Sequence, residues 1–340
     1  TKRPTSLITQ GKKIGYVYDR HGRVQFKTIV PVDKDGEALK QSSQSIVGYL
    51  ESLQLFYNTN NELEKSINIH QQGFEVTITT THYFYDAFGR RVAKSSEVQQ
   101  ASKLNQRGKL VRFPENLVNL RISERSQRQS MLMLWDGNRQ VQEYTDGHIF
   151  TTVYEQDSFV PVARLVWLQP HLQEQAKIAE DKQWQELENY VIPKRQKERL
   201  EHQTQVGIRI YHYHNDHLGM PQELTNDRGD VVWLNYSLAW GGSFDKLNNV
   251  HNLDGLDVSA DELQPIRFQG QFFDTETSLH YNRFRYYDSD VGMFVSRDPI
   301  GLMGGDNVFS YAPNPIQWID PLGLKSTTKT NNGKCPSINF

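Results

Sequence analysis

The sequence predicts a mostly β protein wound from short strands and tight turns, with a helical insertion near residues 171–191. Three observations lead there. Aromatic and β-branched residues fall at alternate positions, in runs broken by Gly, Asp and Asn. A local formula recurs: a Tyr-Asp or Trp-Asp pair, then Gly, then Arg or Asn, then a strand. The composition is rich in Tyr (16) and Phe (16), with Gly (23) as punctuation.

Composition also excludes several classes. At 340 residues, with 37% hydrophobic and 23% charged, the chain has ample material for a large core. A formal net charge of −2 argues against a nucleic-acid groove built on bulk basicity. The longest apolar candidate, Phe159 to Leu168, contains Pro161 and Arg164, so no transmembrane segment is expected. The single cysteine, Cys335, rules out an internal disulfide framework and a cysteine-cluster zinc site. Thr1 to Gln10 is polar and lacks the apolar stretch of a signal peptide, and the chain starts without Met, as a piece of something longer would.

The elements follow in order. Ile14 to Val24 is one hairpin unit, turning at Asp19 and Gly22. Val76 to Val92 is a second, with Tyr85-Asp86 and Gly89 at its turn, and Leu134 to Val141 a third, around Asp136-Gly137. Ile208 to Tyr213 begins a fourth, and Leu224 to Trp233 completes a hairpin. The Asp-x-x-Gly step has a mechanism: Asp caps the turn with its side chain, and Gly takes the positive φ that follows. Repetition of this formula indicates stacked hairpins; an ordinary antiparallel domain with common turns is the alternative.

Two stretches break the pattern. Gln41 to Gln54 carries Ile46, Leu50 and Leu53 at helical spacing, which predicts a short helix. His171 to Val191 places Leu172, Ala176, Ala179, Leu187 and Val191 on one helical face, stopped by Pro193 and followed by a charged return, Arg195 to Gln205. A solvated surface helix is the default reading of that insertion, with a partner-docking helix as the alternative.

The C-terminal third is more specific. Tyr211-His212-Tyr213-His214-Asn215-Asp216-His217-Leu218-Gly219 leads into the last hairpin, followed by Ala239-Trp240-Gly241 and Ile266 to Asp274. Leu279-His280-Tyr281-Asn282-Arg283-Phe284-Arg285-Tyr286-Tyr287-Asp288 then runs to Asp298-Pro299-Ile300-Gly301, and the stretch ends at Asp320-Pro321-Leu322-Gly323-Leu324. This text resembles the Rhs/YD-repeat family, in particular the repeat-associated core of bacterial polymorphic toxins. The resemblance is dense over Arg209 to Leu324 and looser over Ile14 to Gln142.

What the resemblance implies is a shell wound from YD repeats as a β-hairpin spiral, forming part of a hollow β-cage that a more regular core segment plugs. Residues 1–208 would be shell, with the insertion at about 170–205; 209–324 would be the core; 325–340 would begin the variable toxin region. The implied partners are the chain's own C-terminal toxin segment inside the cage, an immunity protein for that toxin, and secretion or adaptor proteins reached through regions N-terminal to this one. Synthesis in the bacterial cytoplasm followed by export, by type VI secretion, is the implied route. No cofactor is implied.

The resemblance also implies self-cleavage. Two Asp-Pro-x-Gly motifs, with residues 302–319 between them, have the family spacing, which maps the scissile bond onto Leu324–Lys325. The arginine of Arg-Tyr-Tyr-Asp, which corresponds to Arg285, would support the site. One departure is visible: Asp288 is followed by Ser289 where the family usually has Pro, which alters a turn residue and not the chemistry.

That chemistry has its own physical basis. Amide hydrolysis near neutral pH needs a base to activate water and an acid to protonate the leaving nitrogen or polarise the carbonyl. Two adjacent carboxyls can supply both, because like charges at short range do not both ionise. The catalytic candidates are therefore Asp298 and Asp320 as a pair, with Arg285 holding one carboxylate ionised or steadying the oxyanion. A substrate in the same chain has an effective concentration on the order of 10⁵ M or more, so weak groups suffice for one turnover. The alternative is that each motif is simply a good turn, with Asp at i, Pro at i+1 and Gly at i+3.

Lys325 to Phe340 is polar, and sixteen residues cannot fold unaided as an enzyme. His212, His214 and His217, with Asp216, have a spacing that zinc could use, but a packed strand and turn is the reading taken, and no metal is assigned. Cys335 has no paired base nearby. The aromatics serve inter-strand ladders before glycan stacking. Rival readings are the C component of an insecticidal toxin complex and a non-cleaving YD-repeat surface or adhesion protein.

Overall fold

A computed structural model describes residues 3–9, 11–33, 35, 49–72, 75–103, 120–168, 208–235, 237–242, 256 and 258–328. Fourteen strands hydrogen-bond in chain order into one antiparallel sheet. They are β1 (Ser6–Thr9), β2 (Lys12–Tyr18), β3 (Val24–Pro31), β4 (Tyr49–Tyr57), β5 (Leu63–Gln72), β6 (Glu75–Tyr85) and β7 (Arg91–Lys103). The sheet continues through β8 (Leu120–Asp136), β9 (Arg139–Tyr144), β10 (His148–Tyr154), β11 (Pro161–Leu168), β12 (Ile208–Asn215), β13 (Pro221–Thr225) and β14 (Val231–Leu234).

The recurring turn formula has a common geometry. Asp19 Oδ1 accepts from the backbone N–H groups of His21 and Arg23, both at 2.9 Å, and its Oδ2 accepts from Arg23 Nε at 2.7 Å. Asp86 repeats this with Phe88 and Arg90. Asn58, Asp216 and Asn226 accept the same two backbone bonds without the arginine. Gly22 and Gly89 follow at φ +77° and +68°, where a side chain would be strained.

A register step accompanies many turns, as between Val17 and Tyr18 and between Phe84 and Tyr85. The extra residue in the returning strand lets two residues three apart face inward, Val24 with Lys27 and Arg91 with Lys94, all buried. At three turns the aromatic before the turn then reaches back to the hairpin before it. Tyr57 and Tyr85 hydroxyls donate to the Val24 and Leu63 carbonyls at 2.9 Å, and Trp135 Nε1 donates to the Arg91 carbonyl at 2.8 Å. The Tyr85-Asp86 pair thus serves two hairpins: Asp86 closes its own turn, and Tyr85 caps the buried Leu63 carbonyl of the previous one.

One prediction is corrected here. Residues 49–54 of the expected Gln41 to Gln54 helix lie in strand β4, and residues 41–48 lie outside the described residues. Leu53 and Leu55, both 2% exposed, show the two-residue alternation that β3 and β5 impose on either side. The helix predicted over His171 to Val191 also lies outside the described residues.

Residues 258–328 pack against one face of the sheet. A single helical turn, α1 (Ala260–Leu263), is capped reciprocally by Ser259 and Glu262. Strands β15 (Phe272–Asp274), β16 (Leu279–Asn282), β17 (Arg285–Asp288) and β18 (Met293–Phe294) form a second sheet, and β19 (Trp318–Ile319) pairs with β20 (Thr327–Thr328). Leu279, Tyr281, Tyr286 and Val295 enter one core with Ile14, Tyr16, Leu53, Leu55 and Tyr83, from β2, β4 and β6. Leu263, Ile266 and Phe272 enter another with Phe150, Val166, Tyr211 and Leu224, from β10 to β13. Both ends of the large sheet therefore face the same segment.

Buried ion pairs fix this contact. Arg91 pairs with Asp274, and Lys94 bridges Asp274 at 3.2 Å and Glu276 at 2.8 Å. Lys27 bridges Asp288 at 2.9 Å and Asp290 at 2.6 Å. Arg164 pairs with Glu143 at 2.8 Å and donates to the Leu263 carbonyl at 3.1 Å. Burial pushes the Asp274 carboxyl up, but Arg91 and Lys94 outweigh it and hold the carboxyl below its ordinary range.

Candidate functional site

The two Asp-Pro-x-Gly motifs are variants of the turn that builds the sheet. Asp298 Oδ1 accepts from the Ile300 N–H at 3.0 Å, and the Gly301 N–H donates to the Asp298 carbonyl at 3.0 Å. Asp320 Oδ1 accepts from the Leu324 N–H at 2.9 Å, and the Gly323 N–H donates to the Asp320 carbonyl at 3.3 Å. The difference lies at Oδ2. In the turns at Asp19 and Asp86 the following arginine occupies it. In the proline-containing turns no such arginine follows, and the second oxygen is left for a distant partner.

That partner is Arg285 on β17. Its Nη2 lies 3.0 Å from Asp298 Oδ2 and 3.6 Å from Asp320 Oδ2. Its Nε donates to the Gly323 carbonyl, its Nη1 donates to the Val308 carbonyl at 3.0 Å, and its guanidinium lies 3.7 Å from the centre of the Phe294 ring. One side chain therefore ties both turns together beside the residue that precedes Leu324. Arg285 is 2% exposed, Asp298 8%, Asp320 1% and Leu324 2%, while Lys325 is exposed.

The backbone around Asp320 is held from several sides. Asn282 Nδ2 donates to the Asp320 carbonyl at 2.9 Å, the Asp320 N–H donates to the Tyr311 hydroxyl at 3.3 Å, and the Phe284 N–H donates to the Leu322 carbonyl at 3.3 Å. Strand β20 pairs Thr327 with Ile319 and Thr328 with Trp318, so the chain beyond Leu324 is gripped as well.

Electrostatics set the two carboxyls apart from ordinary ones. Burial raises Asp320 to about 6, against the opposing pull of Arg285, and the Asp298 charge adds to the rise. Burial also raises Asp298, again opposed by Arg285. Arg285 itself is lowered to about 10 by burial, with both carboxylates opposing. Asp320 Oδ2 is buried without a hydrogen-bond partner. A carboxyl so placed gains by holding a proton, while its neighbour at 3.0 Å from the guanidinium is better placed to stay charged.

The structure brings together all three predicted catalytic candidates, with the predicted bond next to them. It adds Asn282, Tyr311 and Phe294, which sequence spacing did not single out. Two of the histidines have separate partners: His214 Nε2 bonds Thr225 Oγ1 at 2.9 Å and His217 Nε2 lies 2.8 Å from the Ile316 carbonyl, while Asp216 closes its own turn. Cys335 lies outside the described residues. Among the described residues, no helix is long and apolar enough to cross a membrane.

The fold is thus a sheet of antiparallel hairpins paired in chain order, packed against a segment that carries a buried Asp–Arg–Asp cluster. A family model described as "RHS protein" matches residues 210–243. Over 262 residues the chain is 34% identical to the double-stranded DNA deaminase toxin A of Burkholderia cenocepacia (strain H111), covering 77% of this chain and 15% of that protein. Over 195 residues it is 35% identical to the toxin protein Tse5 of Pseudomonas aeruginosa, covering 56% of this chain and 13% of that one. The chain belongs to the Rhs family and spans a small part of the length of these relatives. A solved structure of the Photorhabdus luminescens Tc holotoxin pore is similar over 93% of this chain and 13% of that one, at 15% identity and a TM-score of 0.47.

Proposed function

We propose that this chain is the C-terminal part of an Rhs toxin shell, and that it cuts itself once, after Leu324, to free a toxin held within. The observation that carries this reading is Arg285 clamping the Asp298 and Asp320 carboxyls while holding the Gly323 carbonyl, one residue from the bond.

One carboxyl of the pair, in its ionised form, takes a proton from water. The water oxygen bonds to the Leu324 carbonyl carbon, and Arg285 and the protonated carboxyl stabilise the negative charge that develops on the carbonyl oxygen. The protonated carboxyl then gives its proton to the Lys325 nitrogen, and the C–N bond breaks. Leu324 ends as a carboxylate and Lys325 as an amine. The pair titrates as a unit, so which aspartate acts first is left to measurement.

The toxin names of the relatives support a toxin tail following residue 324 and export as an effector; type VI secretion and competition between bacteria are what the family resemblance implies. The large sheet would separate that tail from the producing cell.

The test is intact mass under denaturing conditions, for wild type beside Asp298→Asn and Asp320→Asn, each first shown to fold. Wild type cut at Leu324–Lys325 with both variants whole is the expected result. A whole, folded wild type would remove self-cleavage and leave the two motifs as turns in a non-cleaving shell or adhesion protein. A cut at an Asp-Pro bond would indicate acid lability instead.

A further inference from the structure

Three glycines follow Asp298 closely, and they answer to different constraints. Gly301 has φ +60° and Gly305 φ +147°, and a Cβ at either would meet nothing within 4 Å. Their backbones require glycine, not their surroundings. Gly304 is the reverse case. At φ −78° and ψ −21° it has a conformation open to any residue. A Cβ there, however, would collide with both Asp298 Oδ2 and the Leu324 carbonyl oxygen, and would come within 3.0 Å of Asp298 Cγ. Its N–H is engaged in the turn, donating to the Gly301 carbonyl at 3.3 Å. What faces the carboxyl and the carbonyl is therefore a bare Cα.

The consequence is geometric. Leu324 is held on its nitrogen side by Asp320 Oδ1 at 2.9 Å. On its carbonyl side it abuts Gly304, and Asp298 Oδ2 abuts the same point. A carboxyl must reach the scissile carbonyl directly or through one water to act on it. With no side chain at position 304, the two groups share one small space.

We propose that Gly304 is a positioning residue for self-cleavage: its missing side chain is what lets the Asp298 carboxyl and the Leu324 carbonyl approach each other. The inference rests on the self-cleavage reading, and the test keeps the two separable.

The first measurement is the cleavage rate of freshly translated wild type, Gly304→Ala and Met303→Ala across pH, read by intact mass on folded chain. Met303 is exposed in the same turn and is the control. Gly304→Ala is expected to slow cleavage about a hundredfold and to shift its pH profile, because a displacement of about 1 Å in a reacting group has that effect. Met303→Ala is expected to match wild type. The second is a double-mutant cycle on stability, run with Asp298→Ala. If the added methyl meets the Asp298 carboxyl, Gly304→Ala destabilises the wild-type background more than the Asp298→Ala background. Should Gly304→Ala fail to fold alone, the double variant is expected to recover folding. Wild-type cleavage by Gly304→Ala, or a stability loss that Asp298→Ala leaves unchanged, would overturn the proposal. A wild type that never cuts would end the self-cleavage reading, and the cycle would still decide whether Gly304 spaces these two groups.

Discussion

Arg285 stands closer to one of its two aspartates than to the other: Nη2 is 3.6 Å from Asp320 Oδ2, an oxygen that is buried without a hydrogen-bond partner, against 3.0 Å from Asp298. A shared guanidinium that favours one carboxyl leaves the other to hold a proton. Asp320, raised to about 6, is in that position.

The rate of self-cleavage should therefore fall as pH rises through about 6, because the protonated carboxyl it needs is depleted. Quenched time courses of newly made chain, read by intact mass from pH 5 to 8, would show about a tenfold loss per pH unit at the upper end. A flat profile would exclude a carboxyl acid with this titration.

Stability should change in the opposite sense when the charge is removed. The folded chain keeps the Asp320 proton to a higher pH than the unfolded chain, so ionisation at Asp320 lowers stability as pH rises from about 4 through about 6. Asp320→Asn is expected to gain about 1–3 kcal/mol at pH 7 and little at pH 4. Urea unfolding at the two pH values checks this, and an equal loss at both would refute it.

Arg285→Lys keeps a positive charge but cannot serve the Gly323 and Val308 carbonyls and two carboxyls with one planar fork. Cleavage should drop about a hundredfold in a chain that still folds. Retained cleavage would show that charge alone suffices.

Asp274→Asn removes the partner of buried Arg91 and one of the two carboxylates on Lys94, and should cost about 3–5 kcal/mol. A change below about 1 kcal/mol, by the same unfolding measurement, would mean that the Asp274 pairs add little to holding the core segment to the sheet.

Tyr85→Phe deletes a single hydroxyl and leaves the buried Leu63 carbonyl without that donor, at a cost of about 1–2 kcal/mol. An unchanged unfolding midpoint would show that Tyr85 acts by packing and not by capping its neighbour.

The turns were legible because their chemistry is local. Asp19 with Gly22 and Asp86 with Gly89 carry their hydrogen-bond partners within five residues. The two Asp-Pro-x-Gly segments were legible as turns for the same reason, but joining their aspartates in one candidate site came from the spacing that the family resemblance implies. Arg285 came from resemblance, since nothing local shows that it meets Asp320. Asn282, Tyr311 and Gly304 were not visible, because their importance comes from contacts that the folded topology creates. The misread helix at residues 49–54 shows the limit of periodicity: Leu50 and Leu53 fit a helical face, yet Leu53 and Leu55 fit a strand, and neighbouring strands decided between them.

The chain-order pairing of the large sheet has a consequence in time. Each of its strands bonds to its neighbours in sequence, so pairing can follow synthesis from the first hairpin onward. The bonds that fasten the sheet to the second segment span 183 positions from Arg91 to Asp274 and 261 from Lys27 to Asp288. They wait for the last quarter of the described chain. The Asp298–Arg285–Asp320 cluster waits longest, because its final member lies four residues before Leu324. A ribosome therefore delivers the large sheet first, its fastening second and the proposed cutting group last, so the order of manufacture alone would delay the proposed cut until the sheet has been made.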